Sequence, residues 1–399
     1  MTEVFLIDGV RTPIGKYGGA LAHRRPDDLA AQVLGNVLER ARVPTECVDE
    51  VIFGATNQAG EDNRNVARMA LLLAGLPHSI PGYTVNRLCA SGLTAIITAA
   101  QSIRCGDADV VVAGGTESMT RAPWVSAKPT KAWAGPGPTF DTAIGWRFTN
   151  PAFLDHDAAT DEPITLSMGE TAEEVAALHN ITRTRSDTFA LRSHARAVDA
   201  IDNGRFDDEI VPVPHGDKSV TQDENPRRAL DLDTLAGLRT VFRTDGIVTA
   251  GSSSALADGA AAVVLASAEA VTRHGLVPKA RIVANAAAGV APHLMGLGPV
   301  PATHKALARA GWSTNDLDAV ELNEAFAAQA LAVLDELDLD PEIVNRNGGA
   351  IALGHPLGSS GARIVVTLLA RMKQERARRA MASLCVGVGQ GVSLLIEAA

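Results

Sequence analysis

Aromatic residues and cysteines are scarce in this 399-residue sequence, which has 4% aromatics and four cysteines. Cys47, Cys89, Cys105 and Cys385 include no Cys-x-x-Cys pair, and their spacing fits neither a disulfide framework nor a set of metal ligands. Free thiols are therefore expected. They favour a reducing compartment, the cytoplasm, and no bound metal is predicted.

Basic charge and long apolar runs are also scarce. The sequence has 36 Lys and Arg against 46 Asp and Glu, and its net charge of −10 argues against a nucleic-acid partner. No apolar run reaches the roughly 18 residues that a membrane span needs. Residues 4–8 lack the charged and apolar regions of a signal peptide. Neither a nucleic-acid nor a membrane partner is predicted.

Glycine is abundant, with 36 residues, and the length exceeds that of one ordinary core, so a large α/β protein is expected. The chain also repeats itself. Residues 40–51 align without a gap with residues 309–320, an offset of 269, which also places Ser91-Gly92 on Ser360-Gly361. This self-similarity predicts two duplicated, layered α/β halves, with ligand sites at the carboxyl ends of strands.

The segment 119–256 interrupts the repeat with scattered proline, glycine and single charges. We interpret it as an inserted loop domain that contains two helices, near 168–180 and 185–203. The first half then comprises residues 1–118 plus 257–276, and the second half comprises residues 277–399.

Cys89 lies at the start of an apolar helix that is followed by a short β-branched strand, residues 110–113. The dipole and free N–H groups at a helix N-terminus are expected to lower the pKa of this thiol and favour the thiolate. The alternative is a structural cysteine, because free cysteines are commonly buried.

Three further polar groups lie at predicted strand ends or in loops. His355 lies in the Gly- and Pro-rich loop 347–358, Asn323 follows the strand 320–322, and Cys385 precedes a loop that contains Gly387. Each alone has a structural explanation: a buried histidine, a strand-end turn and a buried cysteine. Under the repeat, Asn86 and Cys89 fall on His355 and Gly358, so these loops meet. Together they predict covalent acyl transfer in which a second thiol acts as acid and base.

These four blocks resemble the thiolase family, and the resemblance spans essentially the whole chain. It implies a thiolase-like fold in which Cys89 is the nucleophile, His355 its base and Cys385 the acid/base. It also implies that Asn323, through a water, and His355 hold the thioester oxygen, and that the N–H groups of Cys89 and Gly387 hold the second oxyanion.

The resemblance implies that coenzyme A and acetyl-CoA are substrates, with no permanently bound cofactor, and that the enzyme is a homodimer or homotetramer. The CoA-contacting positions fall on Arg227, Thr234, Ala250 and Ser254. One departure is Ala255, which stands where the family usually has glycine. It would be strained if its φ were positive.

Strings at 57–68, 117–119, 121–123 and 144–148 resemble the 3-oxoadipyl-CoA thiolases, and Ser167 replaces a histidine of many biosynthetic members. The expected reaction is therefore thiolytic cleavage of 3-oxoadipyl-CoA. The alternatives are a general 3-ketoacyl-CoA thiolase of β-oxidation, an acetoacetyl-CoA thiolase, a decarboxylating ketoacyl synthase and a non-enzymatic lipid carrier. Arg64, Arg68 and Arg147 are unranked candidates for binding the substrate carboxylate.

Overall fold

The computed structural model describes residues 2–399. The strands of this part are β1 (Val4–Arg11), β2 (Gly15–Lys16), β3 (Glu50–Gly54), β4 (Gly82–Val85), β5 (Val110–Ser118), β6 (Trp124–Ser126), β7 (Thr139–Asp141), β8 (Val213–His215), β9 (Lys218–Val220), β10 (Ala257–Ser267), β11 (Ala280–Gly289), β12 (Ala319–Leu322), β13 (Arg379–Val386) and β14 (Gln390–Ala398). The α-helices are α1 (Pro26–Ala41), α2 (Val66–Leu73), α3 (Ser91–Cys105), α4 (Pro151–Ala159), α5 (Met168–Leu178), α6 (Arg183–Asp202), α7 (Leu232–Ala236), α8 (Ala268–His274), α9 (Pro299–Ala310), α10 (Ala327–Leu337), α11 (Ala350–Leu353) and α12 (Leu357–Glu375).

The main sheet has the strand order β12-β13-β14-β11-β1-β10-β5-β3-β4, with β2 attached to β10. From one edge, β3 runs parallel to β5, and β10 and β1 follow antiparallel. From the other edge, β12 runs parallel to β13, and β14 and β11 follow antiparallel. The predicted α/β fold of two repeated halves is confirmed.

The sequence offset is also visible in the elements. The first residues of β3 and β12, Glu50 and Ala319, are 269 positions apart, as are those of β5 and β13, Val110 and Arg379. The two halves join where β1 meets β11, at the pairs Phe5–Arg281 and Leu6–Ala280. The strand predicted at 110–113 is longer than expected, because β5 continues as a fully buried strand to Ser118.

Helices α3 and α12 pack against each other in the centre of the molecule. A Cβ on Gly92 would lie 2.8 Å from the carbonyl oxygen of Gly358, and one on Gly361 would lie 2.2 Å from the amide nitrogen of Leu93. Glycine is therefore required at both repeat-related positions for the helix backbones to touch. This contact places the N-termini of the two helices side by side.

One expectation about α3 needs correction. The 18-residue window Leu88–Cys105 is long and apolar enough to cross a membrane, whereas the sequence had suggested no such run. In the structure most of this window is buried, in the core that α3 shares with α12 and the strands. Its apolar character therefore has an explanation in packing within the molecule.

The segment 119–256 contains helices α4 to α7 and the small hairpins β6–β7 and β8–β9. Of its two predicted helices, α5 begins after a capping box formed by Ser167 and Glu170, and α6 begins after the N-cap Thr182. The segment 119–256 is therefore less irregular than the predicted loop domain. Its helices α5 and α6 pack on α10 of the second half.

Candidate active site

Cys89 lies in a turn between β4 and α3, and the helix begins two residues later, at Ser91. The Asn86 side chain holds the turn: its Oδ1 accepts from the Leu88 N–H at 2.9 Å, and its Nδ2 donates to the Thr56 carbonyl at 3.1 Å. Leu88 has a φ of 45°, in the left-handed region that leucine rarely adopts. This strained turn directs the cysteine out of the helix.

Three predicted catalytic side chains line a single cavity of about 60 Å³: Cys89, His355 and Cys385. They come from the turn before α3, the loop before α12 and the end of β13. The other residues of the wall are mainly apolar and are Met119, Ile144, Met168, Ser254, Ala255, Leu256, Met295, Ala325, Phe326 and Leu357. The structure therefore brings two thiols and an imidazole to one enclosed apolar site.

Hydrogen bonds fix the tautomer of His355. Ser360 Oγ donates to the Pro356 carbonyl at 3.0 Å, so it accepts from Nδ1–H of His355, 2.6 Å away. The Nε2 lone pair then faces Asn323 Nδ2 at 3.3 Å. Asn323 follows β12 and is fully buried, and its Oδ1 has no hydrogen-bond partner within residues 2–399. An unpaired buried amide oxygen is a place for a water or a substrate group.

Gly387 approaches the cysteine turn from the hairpin between β13 and β14. Its N–H donates to the Cys89 sulfur, and a Cβ on this glycine would lie 3.1 Å from Leu88 Cδ1. The backbone N–H of Cys89 also points at its own sulfur. Two backbone donors therefore converge on the reactive position, an arrangement that stabilises a developing negative charge.

The prediction of a lowered thiol pKa is wrong. Burial raises the pKa of Cys89 to about 11, and the Gly387 and Cys89 N–H groups only partly oppose this effect. Burial, followed by the Arg363 charge, lowers the pKa of His355 to about 3. Burial and the neighbouring Cys89 raise the pKa of Cys385. All three groups are therefore neutral near pH 7, because burial is the largest cause of each pKa shift.

A second cavity of about 260 Å³ adjoins the first and shares Ala255 with it. Of the predicted CoA positions, Arg227 and Ala250 line this cavity, and Ser254 lines the first one. Thr234 lies on α7 and lines neither cavity; its N–H donates to the Asp231 side chain. Ala255 is not among the residues with positive φ, so the departure from glycine carries no backbone strain.

The sequence of this two-half body matches two family models, the thiolase N-terminal domain over residues 4–269 and the thiolase C-terminal domain over residues 276–398. The chain belongs to the thiolase family. Beta-ketoadipyl-CoA thiolase of Escherichia coli is 53% identical over 405 residues, which cover 100% of each chain.

Solved structures agree with this assignment. The acetyl-CoA acetyltransferase of Bacillus anthracis is 45% identical with a TM-score of 0.92, and the match covers 100% of this thiolase and 99% of that chain. The human mitochondrial 3-ketoacyl-CoA thiolase in complex with CoA is 40% identical with a TM-score of 0.91, over 100% and 98% of the chains. The protein is thus an acyltransferase that acts on CoA thioesters and cleaves a 3-oxoacyl-CoA, as the sequence predicted.

Several buried polar groups of this thiolase were not predicted from the sequence. Ser360 positions His355, and its signal was a serine one helical turn after Pro356. Glu324 accepts from Ser193 Oγ at 2.6 Å and from Asn345 Nδ2 at 2.8 Å, and thereby anchors the residue next to Asn323. His194 Nδ1 accepts from the Arg227 N–H at 3.1 Å, and burial lowers its pKa to about 4. No sequence signal pointed to His194.

The structure distinguishes the three arginine candidates. The guanidinium of Arg68 donates to the carbonyls of residues 78 and 80. Arg64 is exposed in the turn before α2. Arg147 is half-buried, three residues after the cavity residue Ile144, and makes no ion pair or hydrogen bond through its side chain with any of residues 2–399. Of the three, only Arg147 combines a free guanidinium with a segment that lines the thiol cavity.

Proposed function

We propose that this thiolase cleaves 3-oxoadipyl-CoA in the breakdown of aromatic acids. The observation that carries the proposal is the full-length identity of 53% with a protein named beta-ketoadipyl-CoA thiolase. Identity to the acetyl-CoA acetyltransferase and the 3-ketoacyl-CoA thiolase of known structure is lower, 45% and 40%. Breaking the C2–C3 bond of this substrate would give acetyl-CoA and succinyl-CoA.

In the first half-reaction, His355 Nε2 takes the proton of Cys89 as its sulfur attacks the 3-keto carbon. The N–H groups of Cys89 and Gly387 stabilise the oxyanion on that carbon. The C2–C3 bond then breaks, and its electron pair forms the acetyl-CoA enolate. Its oxygen is held by His355 and, through a water, by Asn323. Cys385 donates its proton to C2, which releases acetyl-CoA and leaves the acyl group on Cys89.

In the second half-reaction, the Cys385 thiolate takes the proton of the CoA thiol. The CoA sulfur attacks the acyl carbon, and Cys89 leaves as a thiolate that recovers its proton from His355. The neutral resting state supports this order, since a thiol of pKa about 11 beside an imidazole of pKa about 3 does not ionise spontaneously. Proton transfer is then coupled to attack on the bound thioester.

Arg147 is our proposed partner for the substrate carboxylate. The walls of the thiol cavity are mainly apolar, so a carboxylate at the far end of the acyl chain requires a cation. Trp146 Nε1 donates to the Leu166 carbonyl at 3.1 Å, which anchors the Arg147 segment two residues before Met168 of the cavity wall. A free, half-buried guanidinium suits bidentate recognition of a carboxylate.

CoA is proposed to occupy the second cavity, with Arg227 and Ala250 in its wall and its thiol directed past Ser254 toward Cys89. Thr234 would contact it from α7. We further propose a homodimer or homotetramer, a cytoplasmic location, and a division of the chain at 118/119, 256/257 and 276/277.

The decisive experiment compares three substrates: 3-oxoadipyl-CoA, acetoacetyl-CoA and 3-oxohexanoyl-CoA, which has the adipyl chain length without the carboxylate. We expect kcat/KM to be at least tenfold higher for 3-oxoadipyl-CoA. A preference for 3-oxohexanoyl-CoA would identify a general 3-ketoacyl-CoA thiolase, and a preference for acetoacetyl-CoA would identify an acetoacetyl-CoA thiolase. Cys89→Ala and Cys385→Ala should each abolish turnover, and wild-type turnover in both would disprove the mechanism.

The role of Arg147 is tested with the same matched pair of substrates. Arg147→Gln should lower kcat/KM for 3-oxoadipyl-CoA by about tenfold or more, since a charge-assisted hydrogen bond is lost, and leave 3-oxohexanoyl-CoA within twofold. Arg64→Gln is the control and should change neither value. An equal loss of kcat/KM for both substrates would show that Arg147 does not bind the substrate carboxylate.

A further inference from the structure

Glu117 is a buried carboxylate that the mechanism above does not use. It lies on β5, and its residue is 5% exposed. It forms no ion pair with any Lys, Arg or His among residues 2–399. A buried charge without a counter-ion is costly, so its hydrogen bonds must offset the loss of solvation.

Four hydrogen-bond donors converge on this carboxylate. Oε2 accepts from the N–H and the hydroxyl of Thr56, at 2.9 and 2.6 Å, and from the N–H of Gly358, at 2.9 Å. Oε1 accepts from the Asn57 N–H at 3.2 Å. A protonated acid would need an acceptor, and all four partners here donate. Gly358 also lies in the first turn of α12, where the helix dipole favours a negative charge. The geometry therefore fits the ionised form, although burial raises the pKa of Glu117.

The same carboxylate connects the two catalytic loops. On one side, the Thr56 carbonyl accepts from Asn86, whose Oδ1 holds the Leu88 N–H and so fixes the turn that carries Cys89. On the other side, Gly358 follows His355 by three residues. Each connection combines hydrogen bonds of 2.6 to 3.1 Å with a short stretch of backbone.

The backbone around Gly358 is too closely packed for an alternative arrangement. A Cβ on Gly358 would lie 2.5 Å from the Thr116 carbonyl oxygen, 2.7 Å from Ala55 Cα and 2.9 Å from Glu117 Oε2. The N-terminus of α12 is therefore in van der Waals contact with the end of the first-half sheet. A displacement of the Glu117 carboxylate would be transmitted to both loops.

We propose that Glu117 is a positioning residue: its carboxylate holds the Cys89 turn and the His355 loop at their working distance, and its negative charge opposes ionisation of the Cys89 thiol. The assignment of Cys89 as nucleophile rests on the proposed function. The electrostatic part does not, because thiol ionisation is measurable without substrate. The charge on Glu117 is one of the causes that raise the pKa of Cys89.

Other charged groups face Glu117 as well. Glu61, Asp62 and Arg121 line a small cavity together with Glu117, and the charge of Glu117 also acts on Cys89. Glu61 is paired with Arg121 at 2.6 Å, so their charges largely cancel. Burial raises the pKa of Asp62 to about 6, and the charge of Glu117 contributes. Asp62 is therefore the matched control: a buried acid in the same cavity that contacts neither catalytic loop.

The test measures carbamidomethylation of Cys89 by iodoacetamide, followed by peptide mass spectrometry, together with kcat and KM for CoA. In Glu117→Gln the nearby charge is gone, so the thiolate fraction rises and alkylation at a fixed pH below 9 should be about threefold to tenfold faster. Its kcat should fall about tenfold or more with KM for CoA within twofold, because the loops lose their common anchor. Asp62→Asn should alter the alkylation rate and kcat by less than twofold.

Glu117→Asp separates the two parts of the proposal and serves if the glutamine variant does not fold. It keeps the charge and shortens the reach, so alkylation should stay at the wild-type rate while kcat falls. A purely structural role would lower the melting temperature of Glu117→Gln and leave the alkylation rate and kcat of the folded enzyme unchanged, which would overturn the proposal. Wild-type kcat in Glu117→Asp would also overturn it. If 3-oxoadipyl-CoA is the wrong substrate, the alkylation result is unaffected.

Discussion

Ser360→Ala tests how the imidazole is held. In the wild type, Ser360 Oγ is 2.6 Å from His355 Nδ1 and 3.0 Å from the Pro356 carbonyl, and Ser360 is fully buried. Removing the hydroxyl leaves the buried Nδ1–H without an acceptor, which costs about 1–3 kcal/mol. The ring avoids this cost by moving its proton to Nε2, the atom that accepts the thiol proton in the proposed mechanism.

The magnitude follows from that energy. A tautomer penalty of about 1–3 kcal/mol reduces the competent fraction of enzyme roughly 5-fold to 150-fold, so kcat should fall by that factor. Steady-state kinetics on the preferred 3-oxoacyl-CoA measure it. Ser359→Ala is the control, because this neighbouring serine is also buried and its side chain makes no hydrogen bond with any of residues 2–399. If Ser360→Ala kept kcat within twofold of Ser359→Ala, the tautomer argument would be refuted.

Three further predictions concern charge and packing. Alkylation of Cys89 should rise about tenfold per pH unit between pH 7 and 10, because the pKa of this thiol is raised to about 11; a plateau below pH 8 would contradict this. Gly361→Ala should lower the free energy of unfolding in urea by about 3 kcal/mol or more, because its Cβ would lie 2.2 Å from backbone, whereas Gly35→Ala, which has open space, should raise it by about 0.5–1 kcal/mol. Arg371→Met should cost about 3–5 kcal/mol in the same assay, since it breaks a buried 2.8 Å ion pair and leaves Glu321 only the more distant Arg363, at 3.5 Å; a loss under about 1 kcal/mol would show that the pair is not needed.

The main elements of the fold were predictable where the sequence carried a strong local period. The strands at 50–54 and 319–322 and the helices around 93 and 365 follow from apolar patterning, and the offset of 269 revealed their repetition. The repeat also predicted that the two loops would meet, because related helices that pack across a pseudo-twofold axis bring their N-termini together. The end of β5 was missed, since the glycines and polar residues of 114–118 resemble a turn although they are buried.

The polar framework of the site was less accessible to prediction. Glu117 and Glu324 accept hydrogen bonds from the loops that carry the predicted catalytic residues, through contacts that are distant in the chain, such as Glu117 with Gly358. The sequence alone gives no sign of which donors will surround a buried carboxylate. The same limit applies to Arg147, which differs from Arg64 and Arg68 only in what surrounds it.

The chain by itself determined the chemistry available: two thiols, an imidazole and an amide at the ends of repeated elements, and the family to which they belong. The tertiary structure decided the pKa values of those groups. Helix position alone suggested an acidic thiol at Cys89, but burial raises its pKa to about 11 and lowers that of His355 to about 3. The physical reason is that a helix dipole is a local property, whereas desolvation depends on everything that packs around the group.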